Sequence, residues 1–334
     1  MMYLLLTLVF IASFTGTALL RRYALARNVI DVPNERSSHT VPTPRGGGVA
    51  IVISFLLGLA VAALTAQLNT TLVLWLSAAA MLIAVVGFID DHQHIPAGWR
   101  LLCHFTGAAM AVYAVGGLPP LQFFGVLLDL GLAGDVLAVV AVVWMINLTN
   151  FMDGIDGIAS AQAISLSLGL LLLIWLQQQQ LQLLPLLLAC ATAGFFCWNF
   201  PPARIFMGDA GSGCLGLLLA SLILFSAHLA PALFWSGVIL FAVFIVDATY
   251  TLLVRLARGK KLYEAHRSHS YQIAARYFGQ HKKVTLVVVL INLGWLLPWA
   301  LLVNYQWVNA QLAVLLAYLP LVLLARRLKA GQDE

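Results

Sequence analysis

The stretch Thr71-Leu-Val-Leu-Trp-Leu-Ser-Ala-Ala-Ala-Met-Leu-Ile-Ala-Val-Val-Gly-Phe-Ile-Asp90-Asp91 decides how this chain is read. It runs from Thr71 to Ile89 without a charge and then presents two adjacent carboxylates. A helix that crosses the hydrocarbon core of a bilayer needs about 20 apolar residues, so the run reads as a membrane span. Carboxylates at the end of a span are costly and call for a reason. Three more, Asp153, Asp156 and Asp209, also stand where apolar runs end.

Composition agrees with that reading. The 334 residues are 62% hydrophobic and only 9% charged, with a mean hydropathy of +0.94; a soluble domain carries about 25% charged residues. No polar stretch is long enough for a separate folded core, since none exceeds about 30 residues. The expected organisation is one polytopic domain over residues 1–334, with its motifs between 31 and 275 and a short tail over 326–334. The cysteines Cys103, Cys190, Cys197 and Cys214 lack the spacing of a zinc site or a disulfide framework. Met1-Met-Tyr-Leu-Leu has no basic leader region, so the first apolar run is expected to remain as an anchor.

Apolar runs begin near residues 2, 47, 71, 101, 135, 158, 183, 213, 233, 284 and 310. The expected fold class is therefore an all-α integral membrane protein with about eleven transmembrane helices. All 18 Lys and Arg residues fall on one side of that topology. Basic residues near span ends are retained in the cytoplasm, which puts the N-terminus outside, the C-terminus in the cytoplasm and every acidic motif on the cytoplasmic face. The net charge of +5 is accounted for by the anionic cytoplasmic leaflet, without nucleic acid.

Each motif has a chemical reading and a plainer one. Asp90-Asp91 repel one another unless a cation lies nearby; the plainer reading is a polar turn containing Pro96 and Gly98. Asn147, Asn150, Asp153 and Asp156 recur every third residue, a spacing that lines one face of a persistent helix; otherwise they form a polar packing seam. In Asn199-Phe-Pro-Pro-Ala-Arg-Ile-Phe-Met-Gly-Asp209-Ala-Gly-Ser212, Asp209 can offer an oxygen to a metal, and the next helix N-terminus can offer N–H groups to an anion; Asp209 could equally cap that helix. Arg36, His39 and Arg45 lie in a loop rich in Pro and Gly and suit phosphate recognition. His266, Arg267 and His269 sit in the most basic loop, where they could contact a diphosphate or act as acid and base. Asp247, inside an apolar run, should face protein or a water-filled cavity.

In this order, the Asp31-x-Pro-x-x-Arg36-x-x-His39 loop with Pro44-Arg-Gly-Gly47, Gly87-Phe-Ile-Asp-Asp91, Asn147 to Gly157, Phe206 to Ser212, and His266-Arg-Ser-His269-Ser-Tyr-Gln272 resemble the polyprenyl-phosphate N-acetylhexosamine-1-phosphate transferase family. That family also contains the phospho-N-acetylmuramoyl-pentapeptide transferases. The resemblance implies transfer of a sugar-1-phosphate from a UDP-N-acetylhexosamine to undecaprenyl phosphate, with release of UMP, and Mg²⁺ or Mn²⁺ as cofactor. It further implies Asp209 and Asp91 as metal ligands and Asp90, Asp91 and Asp209 as catalytic residues. Asn150, Asp153 and Asp156, with Arg36, His39, Arg45, Asn147, Asn199, His266, Arg267 and His269, would bind substrate. The form of the histidine loop resembles a subgroup linked to O-antigen-type lipopolysaccharide synthesis. A multi-pass place in a bacterial inner membrane and assembly as a homodimer are further expectations. Rival classes are a secondary transporter, which also puts polar groups within the membrane, and an inactive lipid-binding homologue.

Overall fold

A computed structural model describes residues 1–334 except 34–37, 40, 94, 179–180, 262–265 and 333–334. Among the described residues the chain is predominantly helical, and each of the apolar runs above is occupied by helix. In chain order these are α1 (Met2–Ala26), α2 (Val49–Leu64), α3 (Thr70–His92), α4 (Ala97–Val115), α5 (Gly131–Phe151), α6 (Ile158–Gln178), α7 (Leu183–Asn199), α8 (Asp209–Leu229), α9 (Pro231–Leu240), α10 (Ala242–Ala257), α11 (Ser270–Phe278), α12 (His281–Ile291), α13 (Leu297–Asn304) and α14 (Ala310–Arg327).

The expected eleven crossings are not all of one kind. Seven helices are long and apolar enough to span a bilayer, and eight if α9 and α10, bent by 63° at their junction, count as one. The helices α2 and α7 are apolar but shorter; at 1.5 Å per residue they reach only about 25 Å. In α4, Arg100 and His104 dilute the apolar surface. A single π-helical turn, Asn292–Leu296, joins α12 to α13 ahead of Pro298. The protein is thus a multi-pass, all-helical membrane protein, with a spread of helix lengths that hydropathy alone does not resolve.

The core is organised around α8, most of which is buried. Small residues permit this. A Cβ on Gly216 would lie 2.5 Å from the Met145 carbonyl oxygen on α5, and one on Gly87 of α3 would lie 2.5 Å from the Ala210 nitrogen on α8. Close backbone approach through small residues is the usual way helices associate in lipid, where hydrophobic driving force is absent. All four cysteines are free thiols.

Two small antiparallel pairs mark the ends of the bundle. β1 (Ile30–Asp31) pairs with β2 (Thr43–Pro44) on one side, and β3 (Leu121–Phe123) pairs with β4 (Val126–Leu128) on the other. The C-terminal segment returns to the first side, where the Gly331 amide donates to the Ser268 carbonyl. The acidic loops and nearly all Lys and Arg residues share that end.

Candidate active site

The site is assembled by backbone contacts between glycine-rich segments. The Phe206 amide donates to the Pro44 carbonyl (2.8 Å), Gly47 to Phe206 (2.9 Å) and Gly48 to Met207 (2.8 Å). This ladder lays residues 44–48 along the loop before α8. Gly48 and Gly211 approach so closely that a Cβ on Gly48 would lie 2.4 Å from the Gly211 Cα. Gly208 has φ +77°, and its added Cβ would meet an Asp91 oxygen at 2.6 Å. Only glycine meets both demands at 208. These glycines therefore serve close packing, and the arginine that precedes them, Arg45, is carried to the acidic pair.

Asp91 is fully buried. Its Oδ1 accepts from the Asp209 amide (3.1 Å), its Oδ2 from the Ala210 amide (3.4 Å), and Arg45 forms an ion pair with it. Asp91 is itself the anion at the N-terminus of α8, so those N–H groups are not free for a substrate phosphate. This corrects the expectation that the turn at Asp209 offers them. Both Asp91 oxygens are thereby engaged within the protein, and Asp91 is not among the residues that line the cleft. Asp90 accepts from the Ile95 amide (2.8 Å) and pairs with Arg100, whose Nη1 also lies 3.8 Å from Asp209 Oδ2. Arg100 thus bridges two acidic motifs that are far apart in sequence.

The three-residue repeat does not stay on one helix. α5 ends at Phe151, so Asn147 and Asn150 are helical while Asp153 and Asp156 lie in the following loop. The reason is competition for carbonyls. Tyr271 donates its hydroxyl to the Phe151 carbonyl (2.8 Å), Thr285 donates to the Asp156 carbonyl (2.8 Å), and Gly157 takes φ +75°. A Cβ on Gly154 would come within 2.2 Å of the Tyr271 hydroxyl.

The result is a cleft of about 400 Å³ at the end of the bundle, within the size range of small-molecule sites. Asp153 and Asp209 line it, with Arg45, Asn150, Asp156, Phe206, Ser212 and Gln272. Burial, and then the charges of Asp209, Asp91 and Asp156, push the Asp153 carboxyl well above the usual carboxylate range. Asn150 donates to Ser212 (3.1 Å). Asp156 is held by His281 (3.0 Å) and by the Ala203 amide (2.9 Å), and His281 contacts the Ser38 carbonyl oxygen (2.8 Å).

The other expected site residues are distributed unevenly. His39 lines the cleft, edge-on to Phe206 with centroids 4.8 Å apart. Asn199 also borders it, but its amide is engaged, accepting from Gly157 (3.0 Å) and donating to the Ile205 carbonyl (3.0 Å). Asn147 lies behind, in a narrow slot with Asp90, Arg100 and His104. His266, Arg267 and His269 do not line the cleft. His269 is buried, caps α11 and lies 3.5 Å from Asp247. Asp247 faces protein, accepting from the Ser270 and Tyr271 amides. Burial, and then the neighbouring His269 and Arg255, draw His266 down to about 3. Arg267 is placed by its carbonyl, which accepts from Arg276 (3.0 Å). Arg36 lies outside the described residues. The structure adds Arg100 and His281, which periodicity could not single out, and Phe206 and Gln272 as cleft walls.

A divalent cation fits this donor set. Among the described residues no three His, Cys, Asp or Glu side chains form a complete protein cage. Mg²⁺ does not require one, since it binds through one or two carboxylates together with substrate phosphates, and Asp153 and Asp209 border the same space.

The comparisons with known proteins agree with this geometry. Residues 72–227, which include Asp90, Asp91, Asp153, Asp156 and Asp209, match the family model described as glycosyl transferase family 4. A probable undecaprenyl-phosphate N-acetylglucosaminyl 1-phosphate transferase of Bacillus subtilis is 28% identical over 83% of this chain and 78% of its own length. A decaprenyl-phosphate N-acetylglucosaminephosphotransferase of Mycobacterium tuberculosis is 26% identical over 84% and 77%. A phospho-N-acetylmuramoyl-pentapeptide-transferase of Streptococcus pyogenes is 28% identical over 67% and 69%. With its acidic motifs gathered in one cleft, the chain is similar over residues 72–227 to glycosyl transferase family 4, and over most of its length to transferases named for polyprenyl-phosphate acceptors.

Proposed function

We propose that this protein transfers an N-acetylhexosamine-1-phosphate from a UDP-sugar to undecaprenyl phosphate in a bacterial inner membrane, releasing UMP. The observation that carries this reading is the pairing of Asp153 and Asp209 in a cleft at the end of a membrane bundle, beside Arg45. An isoprenoid acceptor lies in the bilayer and a nucleotide sugar in water, so the reaction needs a site where the two phases meet. The asymmetry of Lys and Arg supports a cytoplasmic position for that end.

In this mechanism an oxygen of the lipid phosphate forms a bond to the β-phosphorus of the UDP-sugar. The bond from that phosphorus to the bridging oxygen breaks, and its electron pair leaves with UMP. A phosphate monoester has a second pKa of about 6, so the acceptor is mostly dianionic at neutral pH and needs no strong base. Asp90 and Asp91 accordingly act through the arginines they hold, with Asp91 fixing Arg45 and the start of α8. Asp153 and Asp209 would hold a Mg²⁺ ion, which would supply charge neutralisation to the diphosphate when bound. Arg45 lies where charge develops, and phosphoryl transfer depends chiefly on such positioning and electrostatics. His39 and Phe206 offer aromatic surface for the base.

The names of two relatives contain N-acetylglucosamine, which makes UDP-N-acetylglucosamine the first donor to test; initiation of an O-antigen or another surface polysaccharide is the expected use of the product. Purified protein with undecaprenyl phosphate and Mg²⁺ is incubated with each UDP-N-acetylhexosamine, and UMP and lipid-linked sugar are measured. Equimolar UMP and lipid-linked product with one donor is expected. Folded protein that releases neither with any donor would sink the proposal.

A further inference from the structure

At the cleft end of α1, Arg21 lies beside the loop that connects α7 to α8. Its Nε donates to the Arg204 carbonyl (3.2 Å), and the Arg204 amide donates to the Trp198 carbonyl (2.8 Å). The Arg204 guanidinium lies 5.6 Å from the centroid of the Trp198 ring. That indole is itself fixed, donating to the Phe14 carbonyl (3.1 Å) and packing on the Phe14 ring at 5.3 Å. Arg21 is thus held at the Arg204 backbone and the Arg204 side chain at the Trp198 ring, both neutral partners.

Their charge sets them apart. On the same end of the bundle, Arg45 is neutralised by Asp91 and Arg100 by Asp90. Among the described residues, no carboxylate forms an ion pair with Arg21, Arg22 or Arg204. Trp198, at the end of α7, supplies an amphipathic ring of the kind that settles at a membrane–water interface. Guanidinium forks match phosphate oxygens in pairs. A cation held over an aromatic face keeps its outward N–H donors for another partner.

We propose that Arg21 and Arg204, the latter seated on Trp198, form a binding site for the phosphate headgroup of an anionic lipid in the leaflet that borders the cleft. The lipid chains would lie along α1, whose lipid-facing surface carries exposed Leu and Phe side chains such as Leu8 and Phe14. The occupied site also braces the loop behind Asp209. Arg204 is followed by Ile205, whose carbonyl is held by Asn199, and by Phe206, which is tied to β2.

The test reads lipid binding and requires no turnover, so it stands or falls separately from the transferase reading. Native mass spectrometry counts phosphatidylglycerol and phosphatidylcholine retained by the detergent-solubilised full chain. Phosphatidylglycerol is expected to be retained in preference. Arg21→Gln and Arg204→Gln should each lower its apparent affinity about fivefold, with thermal midpoints close to the parent. Arg258→Gln, which removes the same charge at the end of α10, should leave retention unchanged. Trp198→Phe should preserve retention and Trp198→Leu reduce it. Equal loss with Arg258→Gln would show diffuse charge attraction and overturn the site. So would equal retention of the two lipids, or full displacement of the lipid by millimolar inorganic phosphate.

Discussion

Asp91 and Asp247 do the same local job in two parts of this molecule, with different results. Each is a buried aspartate whose oxygens accept the first amides of a helix, α8 for Asp91 and α11 for Asp247. Each has a basic neighbour, Arg45 or His269. A carboxylate at a helix N-terminus is favourable in both cases, through the orphan N–H groups and the helix dipole. Around Asp91, however, further carboxylates converge on open space, whereas Asp247 is enclosed by α10, α11 and the buried His269. A carboxylate at membrane depth is therefore not by itself a catalytic signal. What distinguishes the cleft is that the carboxylates of Asp153 and Asp209 border open space.

That distinction can be broken experimentally. The largest effect should come from Asp209→Asn or Asp153→Asn, which remove cleft-facing oxygens. Transfer should fall about 10² to 10³-fold with thermal stability retained, and UMP release checks it; near-normal rates would refute the cleft as the reaction site. Gly208→Ala should be nearly as damaging, because it combines a left-handed backbone with a collision against Asp91. Its activity and its melting temperature should drop together.

The two capping aspartates should then part company. Asp91→Asn unpairs Arg45 and is expected to cost about 3 kcal/mol as well as activity. Asp247→Asn should cost about 2 kcal/mol while the folded fraction keeps its turnover number. Denaturation monitored alongside specific activity separates these outcomes, and equal loss of turnover in both would erase the contrast.

The smallest effect concerns His266. It takes up its proton near pH 3 in the folded protein and near 6.5 in the unfolded chain. Between those values the unfolded state binds more protons, so stability rises with pH and is lost as pH falls through that window. His266→Gln should flatten this part of the stability profile and leave the pH dependence of turnover between 6.5 and 8 unchanged.

Much of the architecture was legible because lipid imposes a simple rule. Apolar runs of sufficient length must be helical, and every run located in the sequence is helix. The lengths of α2 and α7 and the bend between α9 and α10 escaped that rule, since they follow from packing against neighbours and not from hydropathy. The acidic motifs were legible as costly groups needing a reason, yet their division of labour was not. Asp90 and Asp91 read as a reactive pair, but each turns to an arginine. The repeat from Asn147 to Asp156 read as one helical face, but Tyr271 and Thr285 take carbonyls near the point where the helix ends.

The sequence by itself determined the membrane class, the end of the bundle at which polar chemistry gathers, and the residue types able to serve phosphate and metal. Only the tertiary structure decided which carboxylates face the cleft. Hydropathy and spacing are properties of a segment, while neutralisation depends on partners such as Arg45, Arg100 and His281, which arrive from other segments.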